Sequence, residues 1–493
     1  MAGLIIWAKW AFIDGEFQRD AAIYVLESSI QETGLRRVLV EKYPDAAVFG
    51  GDDLLMLPGL INSHDHGRAL GTVSLGIPDA MLEVWLDNLG ILPRLSPQLA
   101  AQYEGLQLIY SGVTAVAHSH NPVSYESMFD EVRPTLAGYR QAGVRVAMHP
   151  PLLDQNRLIY DDRETFIANL PTEYRDRAQN AVQSAPPPLD DYFAALDALF
   201  ESCHDPRQHW VHIQVSPVGG QWASDELIAR AVQWARAKNT RVQMHMLETQ
   251  YQRRYAFRHW QKGFIQHLDD IGALGDWLTM AHMVWVEETD AGLLASSGTG
   301  VAHNPSSNLR LRSGIAPIAQ FHRSGVKVGI GMDGHTLDDD QDYLREMRLA
   351  FTLGNRPGAS ALDLAPLDAL NMATRDGAAV TFGADAPLGE LRAGFLADVV
   401  LLDWEKIKGD WCPPGYPSDA HLPEFFLRRA NRSHVRHVMV HGEWFLRDGV
   451  HTRLDAATVS RAVREELAGQ PAPTPGVLGP YIRDFYAAWE VSN

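Results

Sequence analysis

The sequence has few cysteines, a shortage of basic residues and no long apolar run, and each shortage excludes a class of protein. Only Cys203 and Cys412 occur among 493 residues, too few for a disulfide framework or a thiolate zinc site. Lysine and arginine number 43 against 61 acidic residues, and the formal net charge of −18 disfavours binding to nucleic acid or anionic membranes. No uncharged apolar stretch approaches the length of a membrane span, and Lys9 and Asp14 interrupt the first apolar run. We therefore expect a cytoplasmic protein that acts on a small molecule.

Short apolar segments alternate with longer helical patterns in the middle of the chain, which is typical of βα units around a parallel sheet. Eight such segments are candidate strands, and eight parallel strands close a (β/α)₈ barrel. They span residues 57–64, 112–119, 143–150, 210–217, 241–246, 277–284, 299–305 and 326–333. Between two of them, residues 224–238 predict a helix that Ser224 caps and that carries one apolar stripe.

Short β-type runs lie on both sides of this region. Residues 1–57 and 386–455 predict one small discontinuous β domain, the barrel takes residues 58–385, and residues 456–493 predict a C-terminal helical tail. The connection 152–206 is longer than a βα unit needs. It forms either a lid over the barrel mouth or an inert surface excursion.

Two histidines one residue apart, His64 and His66, lie at the polar end of the run LLMLPGLINSHDHGR. Side chains two residues apart on a strand point to the same face, so both imidazoles can reach one point. An arbitrary pair of this kind is more often one core histidine and one exposed histidine. Further ligand-type residues at the polar ends of later apolar runs, namely His245, His282 and Asp333, favour a chelating pair here.

A set of three imidazoles and one carboxylate suits Zn²⁺ or Fe²⁺. Such a cation lowers the pKa of a bound water towards about 7. Glu248 follows His245 by three residues and can lie just outside the ligands, where it could carry a proton to a leaving nitrogen. The spacing alone could also make His282 a fourth imidazole ligand, although that would over-fill a site that must leave a position for water.

Several segments, in this order, closely resemble the amidohydrolase superfamily and in particular its cytosine deaminase and triazine hydrolase branch. They are PGLINSHDH, HMLET, AHMVWV, HNPSSNLRLRSGIAPI, GIGMDG and EMRLA. The resemblance covers nearly the whole chain and implies an α/β fold, a (β/α)₈ TIM-like barrel with a small β-sandwich domain built from both termini.

The resemblance also implies roles for single residues. One divalent metal would be bound by His64, His66, His245 and Asp333, so that Asp333 belongs to both the metal site and the catalytic set. Glu248 would shuttle protons, and His282 would orient the hydroxide or the substrate. Dinuclear members of the superfamily bridge their metals through a lysine near strand four, and residues 210–220 contain none, which favours one metal ion.

Four further residues are candidate substrate contacts. Arg68 stands where a smaller residue is frequent in the family, and it either binds a carboxylate or carbonyl of the substrate or forms a structural ion pair. Gln221 and Trp222 follow strand four, and His303 opens the segment HNPSSN. Residues 335–340 also depart from the family pattern and are expected to border the substrate.

We therefore expect a hydrolase in which metal-bound hydroxide attacks a trigonal carbon and cleaves a C–N bond, foremost as a deaminase of a nitrogen heterocycle. The alternatives are a triazine-type chlorohydrolase or N-dealkylating aminohydrolase, or an amide or urea hydrolase. A departing amine must be protonated whereas chloride leaves unaided, so Glu248 favours nitrogen leaving groups. All six candidate active-site residues are present, which disfavours a binding protein that merely kept the fold. We also expect a homo-oligomer, with its subunit count open.

Overall fold

The computed structural model describes residues 3–68, 70–89, 91–183, 186–359, 361–473 and 476–491 as a mixed α/β protein. Its strands, numbered in chain order, are β1 Leu4–Ile13, β2 Glu16–Leu26, β3 Ser29–Leu35, β4 Ala47–Pro58, β5 Leu60–Asp65, β6 Val113–Ser119, β7 Arg145–His149, β8 Val211–Ile213, β9 Val242–Met246, β10 Leu278–His282, β11 Gly300–His303, β12 Val328–Ile330, β13 Val399–Asp403, β14 Val435–Val440, β15 Glu443–Arg447 and β16 Val450–His451.

The α-helices follow the same numbering. They are α1 Arg36–Lys42, α2 Leu82–Leu89, α3 Pro97–Tyr110, α4 Met128–Ala142, α5 Arg163–Asn169, α6 Thr172–Gln183, α7 Leu189–Cys203, α8 Asp225–Ala237, α9 Gln250–Trp260, α10 Phe264–Asp270, α11 Asp290–Ser297, α12 Pro305–Arg310, α13 Ile318–Ser324, α14 Tyr343–Gly354, α15 Pro366–Ala373, α16 Arg375–Phe382, α17 Trp404–Lys408, α18 Leu422–Arg429, α19 Ala456–Ala468 and α20 Gly479–Val491. None of the helices in the described ranges is long and apolar enough to cross a membrane.

Strands from both ends of the chain share one mixed sheet, in the order β16-β15-β14-β13-β4-β1-β2-β3. Strand β4 joins its two halves, because its first residues pair with β1 in parallel and its last residues pair with β13 in antiparallel. The β-type runs predicted on either side of the central region therefore meet in a single sheet.

The eight middle strands form two parallel four-stranded sheets, ordered β5-β6-β7-β8 and β9-β10-β11-β12. Each of the eight predicted strands overlaps one of them. Backbone hydrogen bonds connect the two sheets on both sides: Gln243 N donates to Val215 O at 3.1 Å, and Asp333 N donates to His64 O at 3.0 Å. Strands such as β6 are buried along their whole length, which explains their continuous apolar sequences.

The connecting helices follow the amphipathic pattern of the sequence. The predicted helix 224–238 is confirmed as α8, in which the Ser224 hydroxyl accepts a hydrogen bond from Leu227 N. Its apolar stripe is buried against the strands, and Asp225 and Glu226 lie at the positive N-terminal end.

A buried ion pair connects the parallel strands to the mixed sheet. Arg145 on β7 donates to both carboxylate oxygens of Asp398, directly before β13, at 2.7 and 2.9 Å. Both residues are buried, Arg145 completely. A bidentate pair of this kind satisfies both charges, so the loss of one partner leaves the other charge buried alone.

We predict that Asp398→Ala lowers the free energy of unfolding by about 3–5 kcal/mol, because Arg145 then remains buried without its counter-charge. Chemical denaturation followed by circular dichroism measures the change. The control is Asp419→Asn, which removes the charge from an exposed pair in which two Arg19 nitrogens donate to Asp419 Oδ1, and it should change the free energy of unfolding far less. Equal effects of the two substitutions would contradict this account.

Candidate active site

Five predicted residues meet at the carboxyl ends of the parallel strands. His64 and His66 lie at the end of β5, His245 in β9 and His282 at the end of β10, while Asp333 follows β12. One ligand atom each of His64, His66 and His245 lies within 4.8 Å of the others, and the same holds for His64, His282 and Asp333. All five are buried.

Three imidazoles are oriented by acceptors behind them. His64 Nδ1 lies 2.7 Å from Gln243 Oε1, His66 Nδ1 lies 2.9 Å from Ser119 O, and His245 Nδ1 lies 2.6 Å from Val218 O. The Gln243 side-chain N–H donates a hydrogen bond to Ser63 O, and this bond keeps Gln243 Oε1 directed at His64. Because carbonyl oxygens only accept, each Nδ1 carries the proton and each Nε2 is an acceptor directed at the cluster.

The centre of the cluster therefore contains acceptors without donors. Asp333 Oδ1 lies 3.5 Å from His64 Nε2 and 3.2 Å from His66 Nε2, and the Nε2 atoms of His66 and His245 are 3.1 Å apart. Both Asp333 Oδ1 and His64 Nε2 are buried without a hydrogen-bond partner in the described part of the chain. A divalent cation would satisfy all of them, and carbonyl acceptors behind the imidazoles are the usual support for metal ligands.

Burial favours the neutral form of His66, His245 and His282, and an imidazole must be neutral to bind a metal. Burial and the positive charge of Arg68 lower the pKa of His66 to about 4. The pKa of His245 lies well below its usual range, because of burial and the neighbouring imidazoles. The pKa of His282 falls to about 4, chiefly through burial.

Glu248 and His282 lie beside the acceptor cluster. Glu248 Oε2 is 3.6 Å from His282 Nε2, and Glu248 Oε1 accepts a hydrogen bond from the Ser313 hydroxyl at 3.3 Å. His282 Nδ1 is 2.9 Å from Asn308 Oδ1. Burial and the negative charges of Asp333 and Glu83 raise the pKa of Glu248 well above its usual range. The acid form of Glu248 is therefore favoured more than that of an ordinary glutamate.

Two of these side chains are placed by unusual backbone conformations. His282 has φ 76° and Asp333 has φ 57°, in the left-handed region that residues with a Cβ rarely adopt. Such conformations persist only where the surrounding structure imposes them, and they concentrate at functional sites.

A cavity of about 750 Å³ opens above this cluster. One wall is apolar and comes mainly from residues 70–95, including Leu82, Leu86 and Leu89 on one face of α2. A second wall is polar and includes His118, His120, Asn121, Ser124, Glu131 and Arg157. Leu153, Arg157 and Leu158 bring the first part of the connection 152–206 to the cavity, so this part borders the site and is not a distant surface excursion.

The predicted substrate contacts divide into two groups. Arg68 and Trp222 line the cavity, whereas Gln221 and His303 are completely buried and do not line it. Arg68 Nη1 donates to Asp333 O at 2.6 Å, the guanidinium lies 5.0 Å from the Trp85 ring, and Arg68 Nε has no hydrogen-bond partner within the described ranges. Arg68 and Trp222 thus border the cavity and Gln221 and His303 do not, and all four stay predictions as substrate contacts.

The segment 335–340 also differs from expectation. His335 is completely buried outside the cavity lining, and its Nε2 lies 3.1 Å from Asp79 Oδ1. Arg310 donates to both carboxylate oxygens of Asp79 as well. His335 therefore anchors the loop that contains Asp79, and none of residues 335–340 lines the cavity.

Sequence reasoning missed the polar wall. His118 and His120 repeat the His-x-His spacing at the end of β6, and that spacing was the available signal. His120 Nε2 lies 3.2 Å from Glu131 Oε2, and His118 Nδ1 lies 3.0 Å from the Tyr139 hydroxyl. These histidines already have protein partners, so they form a hydrogen-bonded wall of the cavity.

The family model described as "Amidohydrolase family" matches residues 55–445. The chain belongs to this family. It is 30% identical to a 5-methylthioadenosine/S-adenosylhomocysteine deaminase of Natronomonas pharaonis over 84% of this chain and 86% of the relative. It is 28% identical to an 8-oxoguanine deaminase of Pseudomonas aeruginosa over 84% of this chain and 87% of the relative.

Solved structures share the fold of this amidohydrolase. An adenosine deaminase from Xanthomonas campestris with bound zinc superposes with a TM-score of 0.77 at 23% identity, covering 94% of this chain and 98% of the other. An atrazine chlorohydrolase from Arthrobacter aurescens complexed with zinc superposes with a TM-score of 0.77 at 19% identity, covering 94% and 100%. Family membership and the deaminase relatives make the protein a metal-dependent hydrolase that acts on carbon–nitrogen bonds, as predicted.

We predict different effects for two histidine substitutions in this amidohydrolase. His245→Asn should lose both the divalent metal and the activity, because it removes one of the converging Nε2 atoms. His282→Asn should keep a metal content near that of the parent but lower kcat strongly, because a group that stabilises developing charge is lost. Elemental analysis after gel filtration, together with steady-state kinetics, measures both effects.

The parent enzyme serves as the control and should contain one metal ion per chain. Two metal equivalents, or loss of metal in His282→Asn, would contradict this division of roles.

Proposed function

We propose that this amidohydrolase is an aminohydrolase that removes an exocyclic amino group from a substituted purine-type heterocycle and releases it as ammonia. The observation that carries the proposal is that donor-free acceptor atoms and the buried carboxyl group of Glu248, which lies 3.6 Å from His282 Nε2, meet in one cavity. The purine-derived substrates named for the deaminase relatives support the ring type.

One divalent ion would be held by His64, His66, His245 and Asp333. When bound, such an ion supplies Lewis acidity and a water whose pKa falls towards about 7. Zn²⁺ is the ion of choice, because the nitrogen-rich ligand set suits it and zinc is bound in the adenosine deaminase of the same fold.

Glu248 holds and delivers the proton that the leaving nitrogen needs. Its carboxyl group lines the cavity, and burial raises its pKa well above the usual range, which favours the acid form. An amine leaves readily only after protonation, so a positioned acid accelerates this step. His282 presents Nε2 to the same part of the cavity, and Arg68 lines this cavity as a donor for a ring or carbonyl acceptor of the substrate.

The cavity favours a heterocycle that carries a substituent. About 750 Å³ is within the range of pockets that enclose whole drug-sized ligands, so a bare base would leave much of it empty. The wall of leucines can bury an apolar part of the substituent, and the wall around His120 and Glu131 can bind hydroxyl or amine groups. The substrate therefore combines an aminated ring with an amphipathic extension.

Chloride release from a triazine is the second candidate, and the fold is shared with an atrazine chlorohydrolase. Chloride needs no proton to leave, so a buried carboxyl group beside the acceptor cluster favours a leaving group that must be protonated. The same argument leaves amide or urea hydrolysis as the nearer alternative to deamination.

We also propose that β5–β12 close into a (β/α)₈ barrel over residues 58–385. The hydrogen bonds that join β8 to β9 and β12 to β5 support closure. Residues 1–57 and 386–455 would form a β-sandwich, because apolar residues of β1, β2, β4, β13 and β14 share one buried cluster. Residues 456–493 form the C-terminal helical tail in this division, packed on α2 and α3, while cytoplasmic location and homo-oligomer formation stay predictions.

We predict that a substrate panel separates these activities. Metal-loaded enzyme should release ammonia from substituted aminopurines, with little chloride from chlorotriazines and little ammonia from ureas. Glu248→Gln should keep its metal and lower turnover by about 10²-fold or more, because it removes the proton shuttle and preserves the shape.

Glu201→Gln, on the exposed side of α7, is the matched control and should behave like the parent. Release of chloride without ammonia, or full aminopurine turnover by Glu248→Gln, would overturn the proposed function.

A further inference from the structure

A second buried carboxyl group, Glu83, lies behind the proton shuttle and has no part in the mechanism described above. It is on α2 and is only 3% exposed. Glu83 Oε1 accepts hydrogen bonds from the Thr249 hydroxyl at 2.6 Å and from the Tyr160 hydroxyl at 3.2 Å. Its other oxygen is buried without a hydrogen-bond partner among the described residues. Burying a carboxyl group in this way is costly and calls for a function.

Thr249 is the residue directly after Glu248 and is the N-cap of α9. A threonine at this position normally accepts a hydrogen bond from a backbone N–H of the first helical turn. Within the described residues the Thr249 side chain makes no such bond and donates its hydroxyl to Glu83 instead. The Thr249 side chain therefore contacts Glu83 and does not cap the helix.

The position of Glu248 depends on its backbone more than on its own side-chain contacts. Its carboxyl group receives one long hydrogen bond, 3.3 Å from the Ser313 hydroxyl, and lies 3.6 Å from His282 Nε2. Its backbone is held more closely, because Glu248 N donates to Gln252 Oε1 at 2.8 Å and the next residue is bonded to Glu83.

The same carboxyl group connects the shuttle to the apolar wall and to the C-terminal helix. Glu83 is on the helix whose Leu82, Leu86 and Leu89 line the cavity. Its second donor, Tyr160, gives its backbone N–H to the Tyr486 hydroxyl of α20 at 3.1 Å. Three segments distant in sequence are thus fixed together around Glu83.

We propose that Glu83 is a positioning residue. It holds Thr249, and through the adjoining backbone Glu248, in a fixed position relative to the apolar wall. The inference rests on the proposed function, since it assigns Glu83 to the proton transfer that Glu248 performs. Burial raises the pKa of Glu83 to about 7, so the neutral acid is well populated at neutral pH and a neutral amide is a fair replacement.

The test measures kcat, KM and metal content on the aminopurine that the parent turns over fastest. Glu83→Ala should lower kcat by about 10- to 100-fold with little change in KM or metal content, because small displacements of a catalytic group cost that much. Glu83→Gln keeps an acceptor oxygen and should stay within about threefold of the parent. Thr249→Val should reproduce the loss, and Glu83→Ala/Thr249→Val should be no slower than the slower single variant.

Asp290→Asn is the matched control, since Asp290 is an equally buried carboxyl group outside the cavity lining and its loss should leave kcat unchanged. If Glu83→Ala does not fold, Glu83→Gln and Thr249→Val carry the test. A parental kcat in Thr249→Val, additive losses in the double variant, or a Glu83→Gln as slow as Glu248→Gln would each overturn the inference. Full activity of Glu248→Gln would instead refute the proposed function, so the two failures are distinct.

Discussion

The site depends on holding several unprotonated acceptor atoms, the imidazole nitrogens and a carboxylate oxygen, close together in a buried space. Three imidazole nitrogens and a carboxylate oxygen converge without a proton among them, and they would repel one another if no cation were present. The hydrogen bonds behind the rings supply the constraint, because they fix the proton on the outer nitrogen of each histidine. The carboxyl ends of β5, β9 and β12 provide those fixed positions.

Much of this centre could be predicted from the sequence. The ligand residues come at the ends of apolar strands, and parallel strands carry their ends to one edge, so chain order alone brings His64, His245 and Asp333 together. The alternation of strands and helices likewise indicated the α/β class. Both follow from short-range periodicity, which the sequence shows directly.

The cavity walls could not be predicted in the same way. They come from connections whose course depends on ion pairs and hydrogen bonds between distant residues, such as Asp79 with Arg310 and Glu83 with Thr249. Gln221 and His303, which the sequence placed near the substrate, are buried outside the lining. A residue near a strand end faces either the cavity or the packing behind it, and only the neighbouring loops decide which.

The packing of the C-terminal helix on α2 limits which segments can be exchanged between related enzymes. The family model ends at residue 445, yet α20 packs against α2, and Leu478 N donates to Asp87 on that helix. The tail is therefore not an independent appendage, because α20 packs on α2, the helix whose leucines form part of the apolar wall. A chimaera that exchanged only the C-terminal segment between relatives would pair a foreign helix with the native wall. The two must be transplanted as a unit, and divergence in one constrains the other.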